Sequence, residues 1–266
     1  AASVMAKLED WLQTEWPELE VYLTSVTEQY GTISLNGPNS RKLMEKLNSD
    51  YDFSKDNFPH MSFKNINLCG VECRVMRISF TGELCYEINV PSGYAKQIWD
   101  ICIDEGKEFN ITPYGTEAMH VLRAEKGFII VGQETDGSVT PVDLDMDWIV
   151  SKKKYDFVGK RALNRSDTIK KDRKQLVGLK TKNPKKVLEE GAQLVEAITT
   201  LPMKMVGHVT SSYYSPNLNS SFALALIKGG LEKKGNKLFA PMENETIEVE
   251  ITDPVFIDPE NKRVNL

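Results

Sequence analysis

Apolar positions at Val4, Leu8, Trp11 and Leu12 recur at helical spacing until Pro17 halts the pattern, so the chain opens on a helix. From Val21 the period shortens. Val21 to Thr27 and Tyr30 to Leu35 read as strands, Asn36-Gly37-Pro38-Asn39 as a turn, and Ser40 to Leu47 as a helix. After a polar linker, Asn48 to Asn57, the stretch from Met61 to Val90 predicts three strands: Asn67 to Cys69 and Cys73 to Ile78 flank a tight turn at Gly70-Val71, and Phe80-Thr81-Gly82-Glu83 makes the next turn. Beyond it Cys85, Glu87 and Asn89 alternate with Tyr86, Ile88 and Val90, the two-faced pattern of an antiparallel strand. Tyr94 to Glu105 then reads as a helix with Ile98, Ile101 and Cys102 inward, and the two strand-helix groups together resemble a split βαβ sheet with helices on one face.

The densest chemistry lies in Thr112 to Pro141. Thr116 is placed to cap a helix whose Ala118, Val121, Leu122 and Glu125 share a face, and Gly127 ends it. Phe128 to Val131 reads as a buried strand, followed by the polar loop Gly132 to Gly137 with Gln133, Glu134 and Asp136. Arg123 and Glu125 stand two apart on the helix, so they do not face each other and at least one needs a partner elsewhere. Asp147 to Val150 reads as a short strand carrying Trp148, and Asn164 to Lys174 as a charged linker. Short strands then recur between glycines and prolines at Gln175 to Leu179, Ala192 to Glu196, Val206 to Ser212, Phe222 to Ile227, Lys237 to Phe239 and Thr246 to Ile251, which argues for a small antiparallel barrel or sandwich.

At 266 residues and 41% hydrophobic content the chain is long enough for a substantial core and for two or three lobes. A net charge of -5 with both signs interspersed argues against a general nucleic-acid binder. Lys152 to Lys154 and the Lys170, Lys171, Arg173, Lys174 cluster read as solvated loops rather than a phosphate track. No stretch approaches the roughly 18 uninterrupted apolar residues of a membrane span, and the start has no signal-peptide pattern, so no membrane partner and a cytoplasmic location are expected. Cys69, Cys73, Cys85 and Cys102 form no Cys-x-x-Cys pair and read as reduced packing residues; His60, His120 and His208 lie far apart, so no metal site is expected. Ala1, with no initiator methionine, reads as an internal point of a longer polypeptide.

Several motifs in order carry a family resemblance: Ser79-Phe80-Thr81-Gly82-Glu83, Leu122-Arg123-Ala124-Glu125-Lys126-Gly127, Thr140-Pro141-Val142 ahead of Trp148, Asp156-Phe157-Val158-Gly159-Lys160, and Gly207-His208-Val209-Thr210-Ser211. Together they resemble the glycine-cleavage T-protein (aminomethyltransferase) superfamily. The spelling of Trp11 to Pro17, Pro113 to Glu117, Val131 to Gly137 and Ser151 to Lys154 is similar to the C-terminal part of the alpha subunits of heterotetrameric sarcosine oxidases.

The resemblance implies an α+β, T-protein-like folate-binding fold whose first lobe is incomplete. Residues 1–20 would be a helical remnant of that lobe, 21–110 a ferredoxin-like split βαβ lobe, 111–165 a central folate-site segment and 166–266 a C-terminal antiparallel β-barrel. It implies a module that binds tetrahydrofolate and traps the one-carbon unit from sarcosine demethylation as 5,10-methylenetetrahydrofolate. FMN, FAD and NAD would belong to the full complex and to other sarcosine oxidase subunits, since no glycine-rich dinucleotide fingerprint occurs here. The chain alone is expected to turn over no sarcosine. The aspartate that the family places beside the reactive folate nitrogens falls upstream of Ala1, so the catalytic residue is not identified.

Glu83, at the family's Thr-Gly-Glu position, would accept the paired N–H donors of a pterin edge. Arg123 would meet an anionic or carbonyl group of the ligand, Trp148 would supply an aromatic wall, and Tyr114 is a further candidate. Plainer readings stand beside these: Glu83 as an exposed turn residue, Arg123 paired with the neighbours of Glu125 or with the Gln133 to Asp136 loop, Trp148 as core, Tyr114 as a turn residue, and His208 as a satisfied strand histidine. Alternative functions are a stand-alone folate-dependent aminomethyltransferase and a non-catalytic folate-binding relative. Members of the last group carry a cysteine two residues after the lysine of a Lys-Gly element, where Phe128 follows Lys126-Gly127 here.

Overall fold

The structure, a computed structural model, describes residues 1–266 as two compact units. The first comprises residues 1–79, 83–113 and 262–266; the second comprises 80–82 and 114–261.

In the first unit, β1 (Tyr30–Asn36), β2 (Phe63–Leu68), β3 (Val71–Met76) and β4 (Cys85–Pro91) form one sheet in the order β1-β4-β3-β2. Every neighbouring pair is antiparallel, so β1 and β3 run the same way with β4 between them. The period-2 pattern sends Ile33, Leu35, Ile66, Leu68, Val71, Cys73, Val75, Tyr86, Ile88 and Val90 to one face. Two helices cover that face. In α2 (Ser40–Leu47) the buried set Ser40, Leu43, Met44, Leu47 follows helical spacing, and α3 (Ala95–Gly106, the third helix in the chain) contributes Ile98 and Cys102. The opposite face is polar: Thr32 donates to Asn89 at 2.7 Å, and Asn89 donates to the Arg74 carbonyl at 3.2 Å. The opening helix, α1 (Ala2–Thr14), buries none of its residues.

Two expectations fail in this unit. The apolar run Val21 to Thr27 forms no strand; it is irregular and ends in a 3-10 turn at Thr27–Gln29, because no strand lies beside it to complete a ladder. The hairpin turns at Cys69-Gly70 rather than Gly70-Val71. Both of these residues have positive φ, 51° and 85°, as a type I′ turn requires, and this frees Val71 to point into the core.

The second unit is built on a closed antiparallel barrel. Its strands are β5 (Lys174–Thr181), β6 (Gln193–Val195), β7 (Met205–Ser215), β8 (Ser220–Lys228), β9 (Lys237–Pro241) and β10 (Thr246–Thr252), in the order β10-β5-β8-β7-β6-β9. Val177, Leu179, Leu194, Val209, Ala223, Ala225, Ile227 and Ile251 fill its interior. The outer face of β5 and β8 is buried too: Leu176, Phe222, Leu224 and Leu226 pack against Ala124 of α4 (Thr116–Glu125), Leu144 and Phe256. Covered on both sides, β8 therefore reads as a continuous apolar run, Phe222 to Ile227, instead of alternating.

Three further expectations are corrected here. Gly115, not Thr116, occupies the N-cap of α4. Phe128 to Val131 forms no strand: the Ile130 N–H donates to the Glu134 carboxylate and its carbonyl receives the N–H groups of Gln133 and Glu134, which leaves a compact turn with one isolated bridge between Val131 and Thr135. Asp147 to Val150 is a 3-10 turn (Asp147–Ile149), held by local bonds such as Ile149 N–H to the Met146 carbonyl.

A side chain at Gly178 of β5 would place its Cβ 2.2 Å from the Asp253 carbonyl and 2.7 Å from the Phe256 ring. Gly178→Ala is therefore expected to lower stability by about 1–3 kcal/mol through overpacking. At Gly137, where nothing lies within 4 Å of the same position, alanine should leave the urea midpoint unchanged. Equal midpoints for the two variants would contradict the packing described here.

Candidate functional site

Glu83 leaves a turn that only glycine can make. Gly82 has φ +79°, and a Cβ there would lie 2.8 Å from the stem of Lys126. Lys126 is itself buried, with its ammonium donating to the backbone carbonyl and the carboxylate of Asp258. The Glu83 side chain is 20% exposed, and its Oε1 accepts a hydrogen bond from Arg263 Nη1 at 2.6 Å.

Arg123 sits at the C-terminal end of α4. There Gly127, with φ +72°, closes the helix through Gly127 N–H to the Ala124 carbonyl and Phe128 N–H to the Arg123 carbonyl. Its guanidinium has no exposed surface. Nη1 donates to Glu134 Oε2 and to the Phe128 carbonyl, both at 3.0 Å, while Nη2 donates to Ser211 Oγ at 2.7 Å and to the Tyr213 hydroxyl at 3.4 Å. Ser211 in turn donates to Glu134 Oε1, and Arg123 Nε is left without a partner.

Ser211 reaches this network because β7 bulges between Val209 and Ser211. Val209 opposes the interior residue Ala225, whereas Ser211 opposes Leu224 on the outer face, so the extra residue Thr210 turns Ser211 outward. Of the readings open to Arg123 from the sequence, pairing with the Gln133 to Asp136 loop is the contact present. Glu125, two residues on, takes separate partners: Ser215 Oγ and Asn217 Nδ2 donate to its buried carboxylate.

Thr140-Pro141-Val142 opens a 3-10 turn through a capping box in which Thr140 N–H donates to Asp143 Oδ2 at 2.8 Å and Asp143 N–H donates to Thr140 Oγ1 at 3.4 Å. Arg173 then grips Asp143 with two nitrogens, Nε to Oδ1 at 2.8 Å and Nη2 to Oδ2 at 2.7 Å. Arg173, at 13% exposure, is thus no solvated loop charge, unlike Lys152 to Lys154, which are exposed as expected. Burial alone raises the Asp143 carboxyl, but the Arg173 and Thr140 hydrogen bonds outweigh it and hold it below its ordinary value.

Trp148 stands on its 3-10 turn at 73% exposure, which excludes the core reading, and Tyr114, just ahead of α4, is 40% exposed. Half-buried His208, on β7, has Nδ1 3.3 Å from Lys174 Nζ; burial and then the lysine's charge push its pKa down. Cys73, Cys85 and Cys102 are buried and free, with thiols pushed by burial to about 11, 12 and 12. No group of three or more His, Cys, Asp or Glu is placed to hold a metal ion, and no helix is long and apolar enough to cross a membrane.

Sequence reasoning named Glu83, Arg123, Trp148 and Tyr114, of which Glu83 belongs to the first unit and the other three to the second. It missed Ser211 and Tyr213 as partners of Arg123 because nothing in the chain announces the bulge that re-aims them. It missed Arg263 because 180 residues separate it from Glu83.

Residues 1–154 match the family model described as the GCVT N-terminal domain, and residues 174–258 match the glycine cleavage T-protein C-terminal barrel domain. The chain is 51% identical over 267 residues to a sarcosine oxidase subunit alpha of Corynebacterium sp. (strain U-96), covering 99% of this chain and 28% of that protein. It thus spans little more than a quarter of that relative's length. It is 28% identical to an aminomethyltransferase of Thermoanaerobacter sp. (strain X514), covering 95% of this chain and 66% of the relative. The crystal structure of glycine cleavage system aminomethyltransferase T from Bartonella henselae superposes with a TM-score of 0.79 at 20% identity, covering 97% of this chain and 66% of that one.

Glu134→Gln leaves a guanidinium enclosed without its counter-charge and is expected to cost about 3–5 kcal/mol. The double variant Arg123→Met/Glu134→Leu should recover a large part of that loss; in urea unfolding, purely additive losses would show that the pair is not coupled. Asp143, with a depressed folded pKa, adds stability above the ordinary aspartate value of about 3.9 and loses it as pH falls through the folded value. Asp143→Asn should consequently narrow its stability gap to the parent chain as the pH drops below about 4; a gap that stays constant down to acid unfolding would refute the assignment.

Proposed function

The chain belongs to the glycine cleavage T-protein family, and on that premise we propose that it is the tetrahydrofolate-binding module of a sarcosine oxidase alpha chain. The relative at 51% identity bears the name sarcosine oxidase subunit alpha, against 28% for the relative named aminomethyltransferase, and this ranks the oxidase reading above the stand-alone transferase. In this reading tetrahydrofolate takes up the one-carbon unit released from sarcosine as 5,10-methylenetetrahydrofolate. FMN, FAD and NAD serve the oxidation on sequence outside this chain, the other sarcosine oxidase subunits are its partners, and the complex works in the cytoplasm.

The observation that carries the reading is the Glu83 carboxylate, presented by a glycine-dependent turn and still 20% exposed. The folate fits this chemistry. A pterin edge offers neighbouring N–H donors, and a carboxylate, an acceptor with about four lone-pair sites, answers both. Trp148 and Tyr114 each keep ring surface open for stacking against a flat heterocycle. Arg123, wholly enclosed, serves by fixing the loop that carries Glu134 and by placing its positive charge near the C-terminal end of α4.

Titration of 5-formyltetrahydrofolate into the chain and into Glu83→Gln, followed by calorimetry, tests this. The amide turns one acceptor into a donor facing donors, so binding should weaken by about 1–3 kcal/mol, or roughly 5- to 150-fold. Equal affinities would remove Glu83 from the site.

A further inference from the structure

Residues 262–266 return to the first unit after the whole barrel has been traversed. There Val264 is 4% exposed. Its carbonyl receives Arg77 Nη2 at 3.1 Å, and the Leu266 carbonyl receives Arg41 Nη2. Both arginines are set firmly in the unit: Arg77 is 1% exposed with its guanidinium 5.2 Å from the centre of the Tyr86 ring, and Arg41 Nε also donates to the Phe53 carbonyl at 2.9 Å. Arg263 therefore projects from a backbone pinned on the side that follows it, and its Nη1 meets Glu83 Oε1 at 2.6 Å.

An exposed ion pair usually contributes little, because two long side chains must be ordered to form it. Here part of that ordering is already supplied by the buried Val264 and the two gripped carbonyls. What the pair determines is the direction of the Glu83 carboxylate. One guanidinium hydrogen bond leaves most of the lone-pair sites on the two oxygens for other donors. A pterin N–H is neutral, so its bond to the carboxylate carries one charge where the guanidinium bond carries two; with lone-pair sites to spare, the pterin adds to the carboxylate rather than displacing the arginine.

We propose that Arg263 is a positioning residue that holds Glu83 in the orientation in which it receives the pterin edge, with residues 262–266 acting as a clamp anchored by Arg41 and Arg77. This rests on the reading of Glu83 as the pterin acceptor. It assigns a recognition role to a segment that the barrel family model, ending at residue 258, does not include.

The test is calorimetric titration of 5-formyltetrahydrofolate into the chain, Arg263→Met, Arg263→Lys, Glu83→Gln and the double variant Arg263→Met/Glu83→Gln, with urea midpoints to confirm that each is folded. Arg263→Met is expected to weaken binding about 5- to 30-fold, by loosening a charge-assisted hydrogen bond. Arg263→Lys should regain a clear part of that loss, and the methionine change should add nothing further once Glu83 is glutamine. Parent-like affinity in Arg263→Met, beside weakened binding in Glu83→Gln, would overturn the positioning role and leave the folate reading standing. An equal loss from Arg263→Met in both backgrounds would also overturn it, since the arginine would then act independently of Glu83. Unchanged binding in Glu83→Gln would bring down the underlying reading and this inference with it.

Discussion

A guanidinium with no exposed surface must be answered where it stands, and in the second unit the local architecture is arranged around that demand. Arg123 arrives on α4, Glu134 on a loop folded back by its own carboxylate, and Ser211 on a barrel strand that bulges to present it. Removing charges of this kind from water costs several kcal/mol per ion before any attraction is counted, so each accessory hydrogen bond offsets part of that cost. The network joins the helix, the loop and β7 at one place. Moving any one of them would uncover a charge rather than merely lose a contact.

Much of the fold was legible because its elements obey simple periods. The alternation in β4, the three- and four-residue spacing of Ser40, Leu43, Met44 and Leu47 in α2, and the regularly punctuated strands after Gln175 all lie where the sequence places them, with β6 one residue shorter at each end and the other barrel strands extended by up to three residues at an end. The misreadings share a physical cause. Val21 to Thr27, Phe128 to Val131 and Asp147 to Val150 are short apolar runs that satisfy a strand's composition but lack a neighbouring strand. Their backbone groups turn to local partners instead, a choice governed by tertiary context that composition does not record.

The candidate site was legible in a narrower way. Glu83 and Arg123 were found through family spelling; an arginine and a glutamate two apart on a helix cannot satisfy each other, which calls for an outside partner, and the Gln133 to Asp136 loop was one of two places open to Arg123. Trp148 shows the limit of residue type as a guide: a tryptophan followed by Ile149 and Val150 suggests core, yet its 3-10 turn carries it to 73% exposure. Arg173 errs the other way. It sits in a basic cluster that looks solvated but closes on Asp143, whose position depends on a capping box thirty residues earlier.

The return of residues 262–266 to the first unit also bears on how the molecule is made. Arg77 receives its carbonyl partner from a residue 187 positions later, so on a ribosome the sheet and its two helices emerge long before that contact becomes available. Until the barrel strands have followed, the guanidinium of Arg77 lacks its eventual acceptor, and closing so distant a contact carries the entropy of a very long loop. The sheet unit, made before the barrel, is thus completed only after it.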